Sequence, residues 1–443
     1  MDQIRPPEIH RTKEQDAKEQ DAEELSLEEN LAIIKGEESY LNDKAYKLTI
    51  KIEKQLAIDP EVSPAILEEL AFGTYKRLKY AAAKHPNTHP KVIDKLAESK
   101  DAWMLRALLE NPKLESETIQ KIYDCDEEKR LKYSMSKHPN TPEGILRYIA
   151  KTETANPPFY QITINICGNP NTPGDILKNF AKRYKKVEKI LIKIASNPNT
   201  PKPLIFNTLA NSDFDSVKAE AIKHPDAPPE MLLRLIKKPF CGPKLKDTIA
   251  HHPNVPPEAL SLIGGIIGGN TLLSTRIAVA KNPKTPGKTL KIITGYYAYD
   301  HIEIQIAIAQ NPNTPPKVLA DLTRRLYGFT IVYKGRPFKE HHASEENLEA
   351  RILIAGHQNA NYEVLEDISH DHTLEVRLAL ASNKKTAEPL LFKIAKHDPR
   401  TSVKIAVAKN LGAERPTLAY LSEKTQPAEV RKTAMEHLKL LDT

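Results

Sequence analysis

His138-Pro139-Asn140-Thr141-Pro142 closes one apolar segment and opens another, and near copies of it recur along the chain. HPNTH starts at His85, and NPNTP at Asn169, Asn197 and Asn311. DPEVSP from Asp59, NPKLES from Asn111, HPDAPP from His224, HPNVPP from His252 and NPKTPG from Asn282 are variants. Their first prolines, from Pro60 through Pro139 to Pro312, fall about 26 to 31 residues apart, a period that marks a repeat architecture. Worn copies at His357 (HQNANYEVL), Asn383 (NKKTAEPLL) and Asn410 (NLGAERPTL) bring the total to roughly thirteen units.

The element has a mechanical reading. A residue before proline is driven out of the α region, so the preceding helix stops at the Asn or His. Pro-Asn then makes a tight turn. The threonine hydroxyl is expected to cap the next helix, with the second proline in its first position. Ile145, Leu146, Ile149 and Ala150 follow at the spacing of one helix face. A variable connector leads to a second short helix, such as Arg276–Lys281, whose alanines (Ala81 to Ala83, Ala278, Ala280, Ala307, Ala309, Ala406 and Ala408 in the various units) permit close approach. Such a pair cannot bury its stripe alone, so the units must stack. The chain therefore reads as all-α: an α-solenoid of helical pairs. His85, His138, His224 and His252 share one position with asparagine, which predicts a hydrogen-bonding ladder between turns. Lys84, Lys137, Lys223, Lys281 and Lys409, just before the turns, suit the negative end of the helix dipole.

The unit V/I-R/K-x-A-x-A-x-N/H-P-N-T-P-x-x-L-L-x-x-L-A resembles the leucine-rich repeat variant family, a bacterial relative of HEAT-like solenoids. The resemblance covers residues 59–320 well and 350–443 loosely. It implies a right-handed superhelix of alternating α and short helices, and hardly constrains function. Some members hold an iron–sulfur cluster on clustered cysteines. Cys125, Cys167 and Cys241 are far apart and form no C-x-x-C, so that feature is not carried over, and neither cofactor nor metal is expected.

Departures from the period divide the chain. Residues 1–24 are polar, with KEQDA twice, and read as a disordered charged tail. Residues 25–58 read as N-terminal capping helices, 59–323 as the regular array, 324–348 as a basic aromatic insertion, and 349–443 as degenerate repeats with a cap. Within the insertion, Phe329 to Tyr333 suggests a small hairpin. No signal peptide is visible, and the apolar run Ala259 to Gly269 is too short and glycine-rich for a membrane span, so a soluble cytoplasmic protein is expected. The net charge of +7 is uneven: residues 1–58 hold 9 Lys/Arg against 14 Asp/Glu, leaving 56 against 44 for the remainder.

Several connectors within the repeats are basic. Arg183, Lys185 and Lys186 lie in one, Lys237, Lys238, Lys244 and Lys246 in another, and Arg324, Arg325, Lys334, Arg336 and Lys339 in the insertion. Tyr184, Phe240, Tyr327, Phe329 and Tyr333 are interleaved with them, and Tyr296, Tyr297 and Tyr299 lie nearby, all offering stacking surfaces. If these connectors share an edge, their charges form a ridge for an anionic partner.

Other features point toward structure. His341-His342 and His370-Asp371-His372 lack a third metal ligand in the sequence. The glycines from Gly264 lack the Lys-Ser/Thr of a phosphate loop and read as a flexible connector. Trp103 beside Asp101 superficially resembles the aromatic–aspartate pair of HEAT-like alkylpurine DNA glycosylases, without their motifs, and is assigned to core packing. A bilin lyase of similar architecture is a further enzymatic alternative without a motif to carry it. Catalytic signatures are missing, so the expectation is a non-enzymatic scaffold that binds a protein through its curved surface and the 324–348 insertion. A nucleic-acid-binding solenoid using the basic connectors is the alternative.

Overall fold

The structure, a computed structural model, describes residues 25–35, 43–153, 160–238, 241–265, 271–296, 301–327 and 345–442. Among the described residues the chain is all-α, a succession of twenty-eight α-helices and two 3-10 helices with no strand. It divides into two compact units, the first ending at Pro201 and the second starting at Lys202, a division inside the regular repeats.

Each unit is a stack of helix pairs. In one repeat the second helix Lys132–Lys137 stops at His138, the turn follows, and the first helix Glu143–Thr152 begins. Its buried residues are Ile145, Leu146 and Ile149, the stripe read from the sequence, with Ala150 half-buried. Each such aliphatic side chain contributes roughly 1.5–3 kcal/mol by leaving water. First helices pack on first helices of the adjacent repeat, as Pro90–Ala97 does on Ser116–Cys125 and Pro257–Gly264 on Gly287–Tyr296. Second helices do likewise, as with Lys76–Lys84 on Ala102–Leu108 and Leu273–Lys281 on Ile302–Gln310. This neighbour-to-neighbour packing is that of a solenoid. Ala82, Ala83, Ala280, Ala309 and Ala408 are buried on the second helices, where a larger side chain would hold the backbones apart. Gly264 is another close approach: a Cβ there would lie 2.5 Å from Thr289 Cγ2. The glycine run thus begins inside a packed helix, and 266–270 lie outside the described residues.

The turns are joined by a hydrogen-bond ladder. Asn169 Nδ2 donates to the carbonyl of His138 at 2.7 Å, and Asn197 Nδ2 donates to that of Asn169 at 2.7 Å. Their Oδ1 atoms accept from the backbone N–H two residues on, at 3.0 and 2.9 Å. Histidine reproduces both bonds: His138 Nδ1 accepts from Asn140 N at 3.2 Å while Nε2 donates to the Asn111 carbonyl at 2.9 Å. That arrangement requires the neutral tautomer protonated at Nε2. The second asparagine adds another rung, as Asn140 Nδ2 donates to Leu114 O at 2.9 Å. The second unit repeats the pattern at Asn311, His357, Asn383 and Asn410.

The threonine does not cap the following helix. Thr141 is fully buried, and its hydroxyl donates backward to the carbonyl of Met135 at 2.6 Å. Thr88, Thr172, Thr200, Thr285, Thr314 and Thr386 make the same bond six residues back. A terminal carbonyl of the preceding helix needs a donor, and the reversing chain brings the hydroxyl to it. The second proline also sits one position earlier than expected: Pro142 and Pro173 occupy the N-cap. Where a serine, a histidine or another proline precedes it, as in Ser63-Pro64, His89-Pro90 or Pro228-Pro229, proline fills the first helical position.

Lys84, Lys137, Lys281 and Lys409 lie in last helical turns, whereas Lys223 lies just beyond its helix and pairs with Glu220 at 2.7 Å. Helices Leu27–Lys35 and Asp43–Ile58 occupy the segment expected to cap the array, and residues 1–24 lie outside the described residues. Helix Pro316–Leu326 carries Arg324 and Arg325, so the irregular segment starts later than position 324. Asn347 Nδ2 donates to Leu326 O at 3.3 Å, joining its two flanks. The expected hairpin at Phe329–Tyr333 lies outside the described residues.

Candidate functional site

The turns occupy one end of the helix pairs, so the connectors between first and second helices lie at the other. A second polar array runs there. Tyr80 donates to Asp101 Oδ2 at 2.7 Å, Arg377 Nε to Asp398 Oδ2 at 2.7 Å, and Lys404 Nζ to Gln426 Oε1 at 3.0 Å. In each case a side chain on one second helix reaches a residue at or just before the start of the next one. Arg351 and Asp371 form the most enclosed of these pairs, with side chains 4% and 1% exposed. Tyr327 donates to the same Asp371 carboxylate at 2.6 Å, and Arg351 Nε donates to Asn347 Oδ1 at 2.9 Å. Burial pushes the Asp371 carboxyl up, but bonds from Tyr327, the Thr373 N–H and Arg351 outweigh it and leave the pKa below the usual range. Burial, reinforced by Asp371, holds the Tyr327 phenol far above its ordinary value. At Asp101 the Tyr80 hydrogen bond lowers the carboxyl, while burial and Asp101 together push Tyr80 up to about 12.

These contacts reassign several sequence candidates. Tyr327 is part of the buried cluster rather than a stacking platform. Arg324 pairs with Glu363 and Asp321, and Arg325 Nη1 donates to Thr294 O at 2.5 Å, so both are bound within the fold. Lys246 is buried, because its place on helix Pro243–Ala250 faces the core. Tyr184 is buried too, edge-on to Tyr160 and Phe180 with centroids 5.6 Å away in both cases. Arg183, Lys185, Lys186, Lys237, Lys238 and Lys244 are exposed. Phe329, Tyr333, Lys334, Arg336 and Lys339 lie outside the described residues, as do Phe240, Tyr297 and Tyr299. In the second unit the two connectors between the Lys237 group and the insertion contain neither Lys nor Arg, so the basic connectors there are not neighbours.

Trp103 is not a core residue: it is 64% exposed. Helix Ala102–Leu108 starts where Asp101 Oδ1 accepts from Trp103 N at 2.9 Å, and that start gives the core to Met104, Leu105, Ala107 and Leu108. The indole stands at the connector end with Arg106 over its ring at 5.1 Å. Similar pairs occur in the first unit, with Lys95 over Phe72 at 5.7 Å and Lys132 over Tyr148 at 5.5 Å. Phe72 and Tyr148 are also exposed, so this edge presents aromatic rings fringed by cations. Acidic residues interrupt it at Asp124, Asp126, Glu127 and Glu128.

Among the described residues no group of three or more His, Cys, Asp or Glu is placed to hold a metal ion. No helix there is long and apolar enough to cross a membrane. Cys167 is fully buried, and desolvation raises its thiol far above the ordinary range. No family model matches the chain, and no curated protein matches it significantly.

Proposed function

We propose that the protein is a non-catalytic scaffold that binds a partner protein, with the connector edge of the first unit as its principal contact surface. The observation that carries this reading is exposed Trp103, together with exposed Phe72 and Tyr148 on other repeats of the same unit, each with a cation beside its ring. Aromatic and arginine side chains dominate binding energy at protein interfaces. Cations already lie over these rings, on faces that a stacked base would need, and acidic connectors break the basic track that a phosphate backbone would follow. Both features favour a protein over a nucleic acid. The insertion at 324–348 and its basic residues are proposed as a second contact.

The test is affinity capture at moderate salt with the native chain and with a Phe72→Ala/Trp103→Ala variant, both checked for unchanged thermal unfolding. The reading expects a stoichiometric, nuclease-resistant protein that the variant loses. Unchanged capture by the variant, or capture abolished by nuclease, would contradict it.

A further inference from the structure

Independently of that reading, the second unit contains a cleft that the scaffold does not require. The connector after Ile368 and the one after His397 border an open cavity of about 310 Å³. Its walls bring together His370, His372, Lys393, His397 and Arg377. The sequence shows only the His370-Asp371-His372 triplet; helix Leu374–Ser382 of the same repeat adds Arg377, and helix Glu388–His397 of the next repeat adds Lys393 and His397.

The charge balance of the cleft is set by the second polar array. Its two carboxylates are committed: Asp398 accepts from Arg377 Nε at 2.7 Å and from Arg400 N at 2.9 Å, and Asp371 is bound by Arg351 and Tyr327. Lys393 Nζ lies 3.4 Å from His370 Nε2 and makes no ion pair among the described residues. Arg377 Nη1 holds the His372 carbonyl at 2.6 Å, which leaves Nη2 without a hydrogen bond among the described residues. His370, His372, Lys393 and His397 are exposed. The cleft thus gathers an ammonium, part of a guanidinium and three imidazoles around a floor whose acids are already neutralised.

We propose that this cleft binds a phosphate monoester or inorganic phosphate. A phosphate group offers three terminal oxygens and close to two negative charges. That matches several convergent donors of different type better than a carboxylate's two oxygens and single charge. Charge-assisted bonds from Lys393 and Arg377 would hold it, with the imidazoles completing its shell. Asp371 and Asp398 act as positioning residues, since they fix the connectors and Arg377 rather than touching the ligand.

The experiment is calorimetric titration of the full chain with inorganic phosphate, with O-phosphoserine and adenosine monophosphate as parallel arms and succinate as a carboxylate control. The proposal expects saturable one-to-one binding of phosphate, at least ten-fold weaker in Lys393→Gln and in His397→Gln. The exposed neighbour Lys396→Gln, outside the cleft, is expected to bind as the native chain does. Tighter binding of phosphoserine assigns the phosphate to a modified protein, and tighter binding of the nucleotide assigns it to a small molecule. Either outcome supports the site. Binding that succinate matches, that Lys396→Gln weakens equally, or that persists unchanged in Lys393→Gln and His397→Gln overturns it, as does a lack of saturable phosphate binding. Thermal unfolding of each variant, expected to stay native-like because these side chains are exposed, separates a lost site from a lost fold.

Discussion

His357 Nε2 donates to the main-chain carbonyl of Asn311 at 2.9 Å, across 46 positions of sequence. The equivalent rung elsewhere spans 26 to 31 positions, as in Asn111 to His85 and Asn169 to His138. His357 Nδ1 accepts from Asn359 N at 3.0 Å, and its own carbonyl receives Asn383 Nδ2 at 3.2 Å. The turn ladder therefore passes the insertion without losing register. Side chains that bridge main-chain atoms of adjacent turns set the spacing of the repeats, and connectors of different length hang from that frame.

The asparagine, not the proline, is the working part of the turn. Asn383 and Asn410 precede Lys384 and Leu411, yet keep φ and ψ of −73° and 123°, and −73° and 124°, like Asn169 before Pro170 at −75° and 127°. Asn169→Ala strands carbonyls of the previous repeat and is expected to cost about 2–3 kcal/mol. Pro170→Ala changes mainly the unfolded chain and is expected to cost no more than about 1 kcal/mol. Asn169→His is expected to fall between the native chain and the alanine variant. Urea unfolding of the three variants measures the order.

The backward bond of the threonine separates two accounts of the same residue. A helix-capping threonine tolerates aspartate, one of the preferred N-cap residues. Thr141 instead faces the Met135 carbonyl in a fully buried site, where an aspartate would set acceptor against acceptor. Thr141→Asp is expected to destabilise the chain by more than about 3 kcal/mol, and Thr141→Val by about 1–2 kcal/mol. An Asp variant as stable as the native chain would restore the capping account.

The ladder histidines make stability depend on pH in a calculable direction. Burial lowers the pKa of His138 and His357 from 6.5, with the bonds to the Asn111 and Asn311 carbonyls only partly opposing it. The unfolded chain then binds more protons below about 6.5, so folding stability is complete above that value. It falls as the pH drops from about 6.5 toward the lowered folded values, because a proton on Nδ1 removes an acceptor. Chemical unfolding at pH 7.5 and 5.5 is expected to show less of this loss in a His138→Asn/His357→Asn variant than in the native chain.

Arg351 and Asp371 form an enclosed ion pair with Tyr327 and Asn347 attached. Removing one partner leaves a buried charge, so Arg351→Ala is expected to cost about 3–5 kcal/mol. The exposed pair Arg415–Asp442 provides the contrast, with Arg415→Ala expected to cost less than about 1 kcal/mol. Thermal unfolding of both variants checks the difference.

The period, the helix stripe around Ile145 and the exchange of His for Asn were legible because each depends on neighbours close in sequence. The direction of the Thr141 hydroxyl was not, since forward capping and backward bonding use the same residue at the same place. Trp103 was misplaced for a similar reason: between Ala102 and Met104 it looks apolar, and only the Asp101 cap fixes which way helix Ala102–Leu108 is turned. Lys246 and Tyr327 looked like free surface groups because their partners and neighbours come from other repeats. The cleft of Lys393 and His397 joins two repeats, and the triplet His370-Asp371-His372 carries only half of it.

Replacing Gly328–Ser344 with a short Gly-Ser link and following amide hydrogen exchange across 311–314 and 357–360 tests the frame most directly. If the turns set the register, protection in both segments and throughout 345–442 stays within a few-fold of the native chain. Collapse of protection beyond residue 345 would show that the insertion, and not the bond from His357 to Asn311, holds the two sides together.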